Sequence, residues 1–488
     1  DVILDGFCGS GLMGVAAKWC SVAPKQYRST LASEFEKQES AAPDWGNRYA
    51  ILSDLSPAAS FIATNYTLPF SLDAFVSAGH QLLSELKDAV GWMYETEHTN
   101  GQSAQINFTV WSEVFTCPEC ASDIVFYDEA FDKQTKRVKK IICCPSCSAS
   151  LKKTELTQKL ETVVDAASRQ PWSRLALKPV QINYDFGGET FEKQPSKKDM
   201  SLLSKIAGMS IPSEVPTGEF PFDDMWEAPR LKVKGFKAIH QMFLPRPVQA
   251  LGEVWQRVQA IPDRRLRNML VFFVEQAITG MSVLNRYGPT HYSQVNRYLS
   301  GAYYVGSQIS EVPPWYILEG KLRRLANAFA SISTSSSSVC VSTSSCTSLP
   351  IPDGAIDYVF TDPPFGDNFP YAELNYLVES WHGLFSELSM DAIVDRGKKN
   401  KEAQKTLSDY QSVMSRCFAE YFRVLKPGRW MTVVFSNSKN VVWHAIQEAL
   451  GDAGFVVADV RTLDKQQRSF RQVTSAAVKQ DLVISAYK

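Results

Sequence analysis

No apolar run in this chain approaches the roughly 18 residues needed to span a bilayer. No signal-peptide pattern is visible either, so a membrane partner is not expected. Charge of one sign is also missing. The 51 Lys and Arg stand against 52 Asp and Glu, for a formal net charge of −1. That balance excludes a chain that is polybasic throughout. No Lys-Ser/Thr follows the first glycine loop, which disfavours a phosphate-cradling P-loop, and no full Gly-x-Gly-x-x-Gly occurs there. Ser10 lacks the Gly-x-Ser-x-Gly frame of a nucleophile elbow. No His-x-Glu accompanies the clustered cysteines, so zinc deaminase chemistry is excluded. The first residue is Asp1, not Met, and it opens a strand-like run. A preceding natural segment is expected from that.

What is present is ordinary in bulk and uneven in detail. Hydrophobic content of 44% and charged content of 21% suit a globular protein, and 488 residues allow two or three domains. Of ten cysteines, five fall between Cys117 and Cys147, and the rest (Cys8, Cys20, Cys340, Cys346, Cys417) are scattered singly. This distribution predicts a metal site in a reducing compartment, hence the cytoplasm, and not a disulfide framework.

"DVILDGFCGSGLMGVAAKWC" reads as strand, glycine loop and helix. "YAILSDLSPAASFIATNY" repeats the plan, with a strand ending at Asp54, Ser56 as helix N-cap and Pro57 as the first helical residue. Two such units in succession predict a doubly wound parallel α/β sheet. A helix is predicted from Leu72 to about Tyr94, and others over Leu244–Leu284 and Leu318–Ile332. No element is assigned between about Pro171 and Pro229. Val339–Val341 alternates with serines and fits a short strand within a linker-like region. Sheet signals return at Tyr358, followed by helices at Ala372–Phe385 and Glu402–Leu425. A strand over Trp430–Phe435, a helix over Val441–Ala453 and a strand over Leu482–Ala486 close the chain. The expected organisation is an α/β domain in two halves, 1–70 and 335–488. Between them come a helical connection (71–108), a Zn ribbon (109–155) and a helical or irregular insertion (156–334).

Three constellations carry chemistry. Glycines after the first strand, in Asp5-Gly6-Phe7-Cys8-Gly9-Ser10-Gly11, let a ligand approach the backbone and a helix N-terminus. An acid ending the second strand, Asp54, is placed to accept both hydroxyls of a ribose. Together they predict a nucleoside cofactor without a pyrophosphate. The second constellation is "TDPPF", Thr361–Phe365. Two prolines cannot donate to a ladder, so the chain leaves the sheet there in a stiff loop. Asp362 and the Pro363 carbonyl can each accept one N–H of a planar amine while Phe365 stacks on its ring. The third is Cys117-Pro-Glu-Cys120 and Cys144-Pro-Ser-Cys147, two Cys-x-x-Cys pairs with the spacing of a structural, coordinatively closed Zn ribbon. Cys143 breaks that spacing and is left out.

These motifs resemble those of the amino-methylating DNA methyltransferases, which act on adenine N6 or cytosine N4. "DGFCGSG" resembles their cofactor motif, "SDLSPAA" the ribose-binding acid motif, "TDPPF" the catalytic motif and "LKPGRWM" the strand-opening motif after it. Adenine-specific members with an inserted Zn ribbon are similar, and "HQMFLPRPVQAL" resembles part of their insertion. The resemblance implies a Rossmann-like class I S-adenosylmethionine-dependent methyltransferase sheet, interrupted by a Zn ribbon and a mainly helical insertion. Under it Asp5, Phe7, Cys8, Gly9, Ser10, Gly11, Asp54 and Ser345 hold S-adenosylmethionine. Asp362, Pro363, Pro364 and Phe365 hold a base flipped out of duplex DNA, with adenine favoured by the Asp. Cys117, Cys120, Cys144 and Cys147 hold structural Zn²⁺. Restriction or defence-system partner proteins fit such an enzyme.

Arg230–Arg267 carries nine Lys and Arg against two acids. An isolated run of this kind is more often a solvated face, but beside a base-holding loop phosphate contact is expected, through Arg230, Lys232, Lys234, Arg246, Arg264, Arg265 and Arg267. Arg396–Lys405 offers the same choice between backbone contact and a solvated loop. The rival functions are an RNA guanine-N2 methyltransferase, which pairs similar motifs, and a Zn-ribbon DNA-binding subunit with an inactive methyltransferase scaffold.

Overall fold

In the computed structural model the described residues are 1–38, 40–132, 134–290, 298–299, 301–332, 335–367, 369–395, 404–436, 439–464 and 480–488. They divide into two compact units. The first comprises Asp1–Leu72, Asp224–Trp226 and Leu325–Lys488, and the second Asp73–Asp223 and Glu227–Arg324. Most of Arg396–Lys405 (396–403) lies outside the described residues. No described helix is long and apolar enough to cross a membrane.

The first unit is built on strands β1 (Val2–Asp5), β2 (Tyr49–Asp54), β3 (Val339–Thr343), β4 (Ile356–Thr361), β5 (Leu425–Phe435), β6 (Val456–Asp464) and β7 (Gln480–Tyr487). They form one sheet in the order β3-β2-β1-β4-β5-β7-β6. Its pairings are parallel from β3 to β5, and β7 runs antiparallel to both neighbours. Helices α1 (Leu12–Val22) and α2 (Pro57–Thr67) follow β1 and β2, while α3 (Tyr371–His382) follows β4. Ser56 caps α2 as expected, its side chain accepting the Ala59 N–H at 3.2 Å. Helices α4 (Leu407–Val424) and α5 (Asn440–Asp452) flank β5 in sequence.

Two apolar cores hold these layers. Ala17 of α1 and Ala63 of α2 pack with Ala50 and Leu52 of β2. Met414, Phe418 and Tyr421 of α4 and Ile446 of α5 pack with Leu4, Val359, Met431, Val433 and Ile484. Each fully buried side chain of this size contributes about 1.5–3 kcal/mol relative to exposure. The edge strand β6 has no counterpart among the expected elements, because "VVADVRTLD" carries charges among its valines.

The second unit departs from the mainly helical insertion expected for 71–108 and 156–334. It is organised around a seven-stranded sheet centred on the long strand Ser103–Thr116. That strand pairs antiparallel with Leu177–Phe186 and with Gln308–Glu311. Leu177–Phe186 returns as Glu189–Lys193 through Gly187 and Gly188, whose φ values are +62° and +87°. A Gly-Gly pair at positive φ is the geometry of a two-residue hairpin. The hairpin falls in the stretch to which the sequence assigns no element. Helices Leu72–Val90, Lys197–Ala207, Pro245–Gln259 and Arg264–Glu275 also belong to this part of the chain. The single helical run expected over Leu244–Leu284 breaks at Pro262, after which Asp263 caps the next helix by accepting the Leu266 N–H at 2.8 Å.

The basic stretch is not one face. Arg246 is fully buried: its guanidinium lies 3.7 Å from Glu311 and donates to Thr109 Oγ1 at 3.2 Å. It cannot reach a phosphate, which corrects the expected DNA contact at this position. Lys234 lies 3.3 Å from the buried Glu113, and Arg230 is paired with Glu227. Arg267 donates to the Ile261 carbonyl at 3.1 Å, and Arg265 is half-buried. Lys232 and Arg264 remain exposed. Removing one partner of a buried ion pair leaves an uncompensated charge, so Arg246→Ala should cost about 3–5 kcal/mol in urea denaturation. Lys232→Ala should leave the unfolding midpoint in place. Equal stabilities of the two variants would contradict this assignment of Arg246.

Candidate functional site

The parallel order β2-β1-β4 sets three carboxyl ends side by side. Asp54 ends β2, Asp5 ends β1, and Asp362 follows Thr361, the last residue of β4. Between β1 and β4 the strand order reverses, which is where a doubly wound sheet opens a crevice for ligands. Here the crevice is a cavity of about 1040 Å³. Asp5, Phe7, Cys8, Gly9 and Ser10 line it from the glycine loop, Asp54 and Ser345 from the next strand ends, and Asp362, Pro363, Pro364 and Phe365 from the β4 loop. Gly11 stands outside the lining. Its φ is +79°, and a Cβ there would lie 2.6 Å from Ala63 Cβ, so the turn into α1 requires glycine.

Asp54 brackets the loop. Its Oδ2 accepts the Gly9 N–H at 2.8 Å and its Oδ1 accepts the Ser56 N–H at 2.9 Å. Asp5 Oδ1 accepts the Phe7 N–H at 3.2 Å. Burial, with added repulsion from Asp54 and Asp362, pushes the Asp5 carboxyl up to about 7 against the opposing Phe7 amide. Burial also raises Asp54, though the Ser56 and Gly9 amides work against it. Burial drives the Cys8 thiol far above its ordinary range. Cys8 packs with Ala17 and Leu52 and is a wall residue, not a nucleophile.

The β4 loop is held from behind. Buried Tyr410 of α4 donates its hydroxyl to the Pro364 carbonyl at 2.7 Å, and the Phe365 ring meets Phe435 edge-on at 5.4 Å. Asp362 is exposed at the mouth. Three residues of this site have no legible signal in the chain. Glu379 of α3 is fully buried and accepts from Ser56 Oγ and Ser386 Oγ, both at 2.6 Å. Asp391 accepts the Ala372 N–H at 3.0 Å, and burial pushes it up to about 6. Tyr410 is the third. Asn375, one turn before Glu379, lines the cavity and donates to Ser56 Oγ at 3.1 Å. His382 packs against Phe61 at 4.8 Å, as a core histidine does.

In the second unit, Cys117, Cys120, Cys144 and Cys147 bring their sulfurs within 4.8 Å of one another. Two matching turns present them. Ala121 N–H donates to the Cys117 carbonyl at 2.9 Å, and Ser148 N–H to the Cys144 carbonyl at 3.0 Å. Ala121 and Ser148 adopt positive φ at 57° and 60°. The Sγ separations are 3.8 Å for Cys117–Cys147 and 3.6 Å for Cys120–Cys144. A tetrahedron with Zn–S bonds of about 2.3 Å has edges of about 3.8 Å, so the donor set fits Zn²⁺. Cys143 is exposed and stands apart from the cluster.

Several solved structures are similar in part. A cyclase shares 15% identity over 31% of this chain and 57% of its own, at a TM-score of 0.17. A candidate DNA modification methylase from Thermus thermophilus shares 14% over 28% of this chain and 47% of its own, also at 0.17. An S-adenosylmethionine-dependent methyltransferase from Methanosarcina mazei shares 15% over 34% and 76%, at 0.18. The chain thus spans about half the length of the first two. No curated protein matches it. Residues 356–488, which contain β4, the Asp362–Phe365 loop and the strands β5 to β7, match the family model described as DNA methylase.

Proposed function

We propose that this protein transfers a methyl group from S-adenosylmethionine to an exocyclic amine of a DNA base, with adenine N6 favoured. The observation that carries the reading is the convergence of Asp5, Asp54 and the Asp362–Phe365 loop on one cavity at the reversal point of the sheet. The seven-strand order with a single reversed strand supports a Rossmann-like class I methyltransferase scaffold, and the match over 356–488 supports DNA as the substrate.

The cavity fits the cofactor: it is large enough for a nucleoside with an amino-acid tail, and its acids suit a cation. When bound, S-adenosylmethionine supplies a methyl group already activated on a sulfonium. The protein's own part is then positioning and charge complementarity, with no covalent intermediate on the enzyme. Asp54 would hold the ribose with the lone pairs left over from the Gly9 and Ser56 amides. Asp362 and the Pro363 carbonyl would each accept one amine hydrogen, turning the nitrogen lone pair toward the methyl group. Phe365 would stack on a base flipped out of the duplex. Exposed Asp362 can pass the released amine proton on to water. Lys232 and Arg264 remain as proposed phosphate contacts. Zn²⁺ on the four cysteines would hold together a ribbon whose apolar core is small, centred on Phe115, Ile124, Phe126, Ile142 and Leu151.

Labelled S-adenosylmethionine offered with DNA and RNA side by side, followed by nucleoside analysis, should yield N6-methyladenine in DNA. Label in RNA guanine alone would overturn the reading. Asp362→Ala should lower methylation by roughly a hundredfold or more while cofactor binding is kept. Asp54→Ala should instead weaken cofactor binding, with activity partly recovered at high cofactor concentration. Near-normal methylation by Asp362→Ala would defeat the catalytic role of the loop.

The raised carboxyl of Asp5 also gives a pH dependence. A carboxyl whose value is higher in the folded state stabilises the fold fully below the ordinary carboxylate range. That contribution is lost as pH climbs through about 7. A bound sulfonium favours the ionised form, so cofactor binding should release protons. Affinity should then rise between about pH 5 and 8. Calorimetry in two buffers of different ionisation enthalpy measures this, and Asp5→Asn should flatten it. A flat affinity in the unaltered protein would refute it.

Metal analysis should find about one Zn per chain. Cys144→Ser should lose metal and solubility, and full retention in both Cys117→Ser and Cys144→Ser would remove the ligand assignment.

A further inference from the structure

Besides exposed Lys232 and Arg264, the second unit carries another basic surface. Between Thr135 and Lys140 the chain carries four Lys and Arg and no acid. Phe131–Asp132 and Arg137–Val138 pair there as a short antiparallel hairpin, with Lys136 near its tip at φ +54°. Lys136, Arg137, Lys139 and Lys140 are all exposed. Lys139 donates to the Glu129 carbonyl at 3.2 Å. Among the described residues Lys136, Arg137 and Lys140 pair with no carboxylate.

The same hairpin opens onto a separate cavity of about 300 Å³. Phe131 from its first strand is buried there against Tyr127, with ring centres 5.0 Å apart and planes 25° apart. Tyr287 stands against both rings, at 6.4 Å from Tyr127 and 6.3 Å from Phe131. Gln181, Glu192 and Gln194 supply polar edges, and Lys136 joins the lining from the hairpin. Tyr127 donates its hydroxyl to Gln181 Oε1, which fixes that amide.

Three aromatic rings beside carboxamides and a carboxylate suit a planar, amine-bearing heterocycle. Aromatic side chains stack on any base, while Gln and Glu read base edges. An aromatic trio with one acid would also suit a quaternary ammonium. Lys136 in the same lining opposes a cation and suits an anion beside the ring, whereas Lys193 is paired with Asp199 at 3.1 Å. A nucleotide meets both demands at once.

We propose that this cavity takes the base of an unstacked nucleotide in a single strand of nucleic acid, with Lys136, Arg137 and Lys140 on the adjoining phosphates. The site lies wholly within the second unit. It goes beyond the methyl-transfer reading and does not depend on it.

The test uses the full chain and fluorescein-labelled twelve-nucleotide strands of DNA and RNA, read by anisotropy across a salt series; the tighter arm names the strand. The triple reversal Lys136→Glu, Arg137→Glu, Lys140→Glu should weaken binding at least tenfold. It should also flatten the log–log salt slope by about 0.7 for each phosphate that is no longer neutralised. An abasic strand should bind the unaltered protein roughly tenfold more weakly than a base-bearing one, because stacking is removed. That difference should shrink in Tyr287→Ala and persist in Tyr287→Phe. An unchanged affinity and salt slope in the triple reversal would overturn the proposal. So would an abasic strand that binds as tightly as its base-bearing counterpart. The reversal touches only exposed side chains and keeps the test decisive even where Tyr287→Ala fails to fold.

Discussion

The Asp54 carboxylate accepts one N–H from the glycine loop and one from the first turn of the next helix, and the geometry of the cavity depends on that bracket. The bracket ties the loop after β1 to the N-terminus of α2, beside the Cys8 N–H that donates to the Ser53 carbonyl at 3.0 Å. The bracket also sets the electrostatics. Burial raises the Asp54 carboxyl above its ordinary range, and the Ser56 and Gly9 amides directed at it oppose that rise. Asp5 has one amide and a longer hydrogen bond, and its carboxyl is pushed up to about 7.

The crevice is thus a place where acids are gathered at a cost. Asp5, Asp54 and Asp391 are all raised above their ordinary range, and Glu379 is buried beside them. A fold keeps such groups together only where packing over-determines them. Here that packing comes from parallel strands that cannot slip without turning every side chain to the other face. The cation that this arrangement favours is the kind of ligand proposed for it.

The second unit is stabilised differently. Its sheet centres on one long strand whose residues Ile106, Phe108, Val110 and Val114 are buried, and Arg246 and Glu311 pair beside it away from water. The cysteine-bearing turns rest on a core of only a few side chains. A metal ion on the four sulfurs, which lie within 4.8 Å of one another, would offset the apolar area that such a small segment cannot bury.

Local chemistry makes part of this legible in advance. Strand-ending acids, a glycine loop, a Pro-Pro exit and paired Cys-x-x-Cys turns are all written in a few consecutive residues, because each depends on backbone constraints of its own neighbourhood. The first two strands and the Ser56 cap follow from that, as does the placing of Asp5, Asp54 and the Asp362–Phe365 loop at strand ends. The hairpin at Gly187-Gly188 is equally local, but polar, proline-rich flanks mask its alternation. What no reading of the chain could supply are the long-range partners. Glu379 meets Ser56 across 323 residues and Tyr410 reaches Pro364 across 46, while Arg246 finds Glu311 in the interior. A charge in a basic run reads the same whether it faces water or a buried carboxylate. The sequence by itself therefore determined which groups stand at the strand ends and in the cysteine turns. The tertiary structure alone decided which charges are buried, because burial is a property of the packed whole and not of any segment.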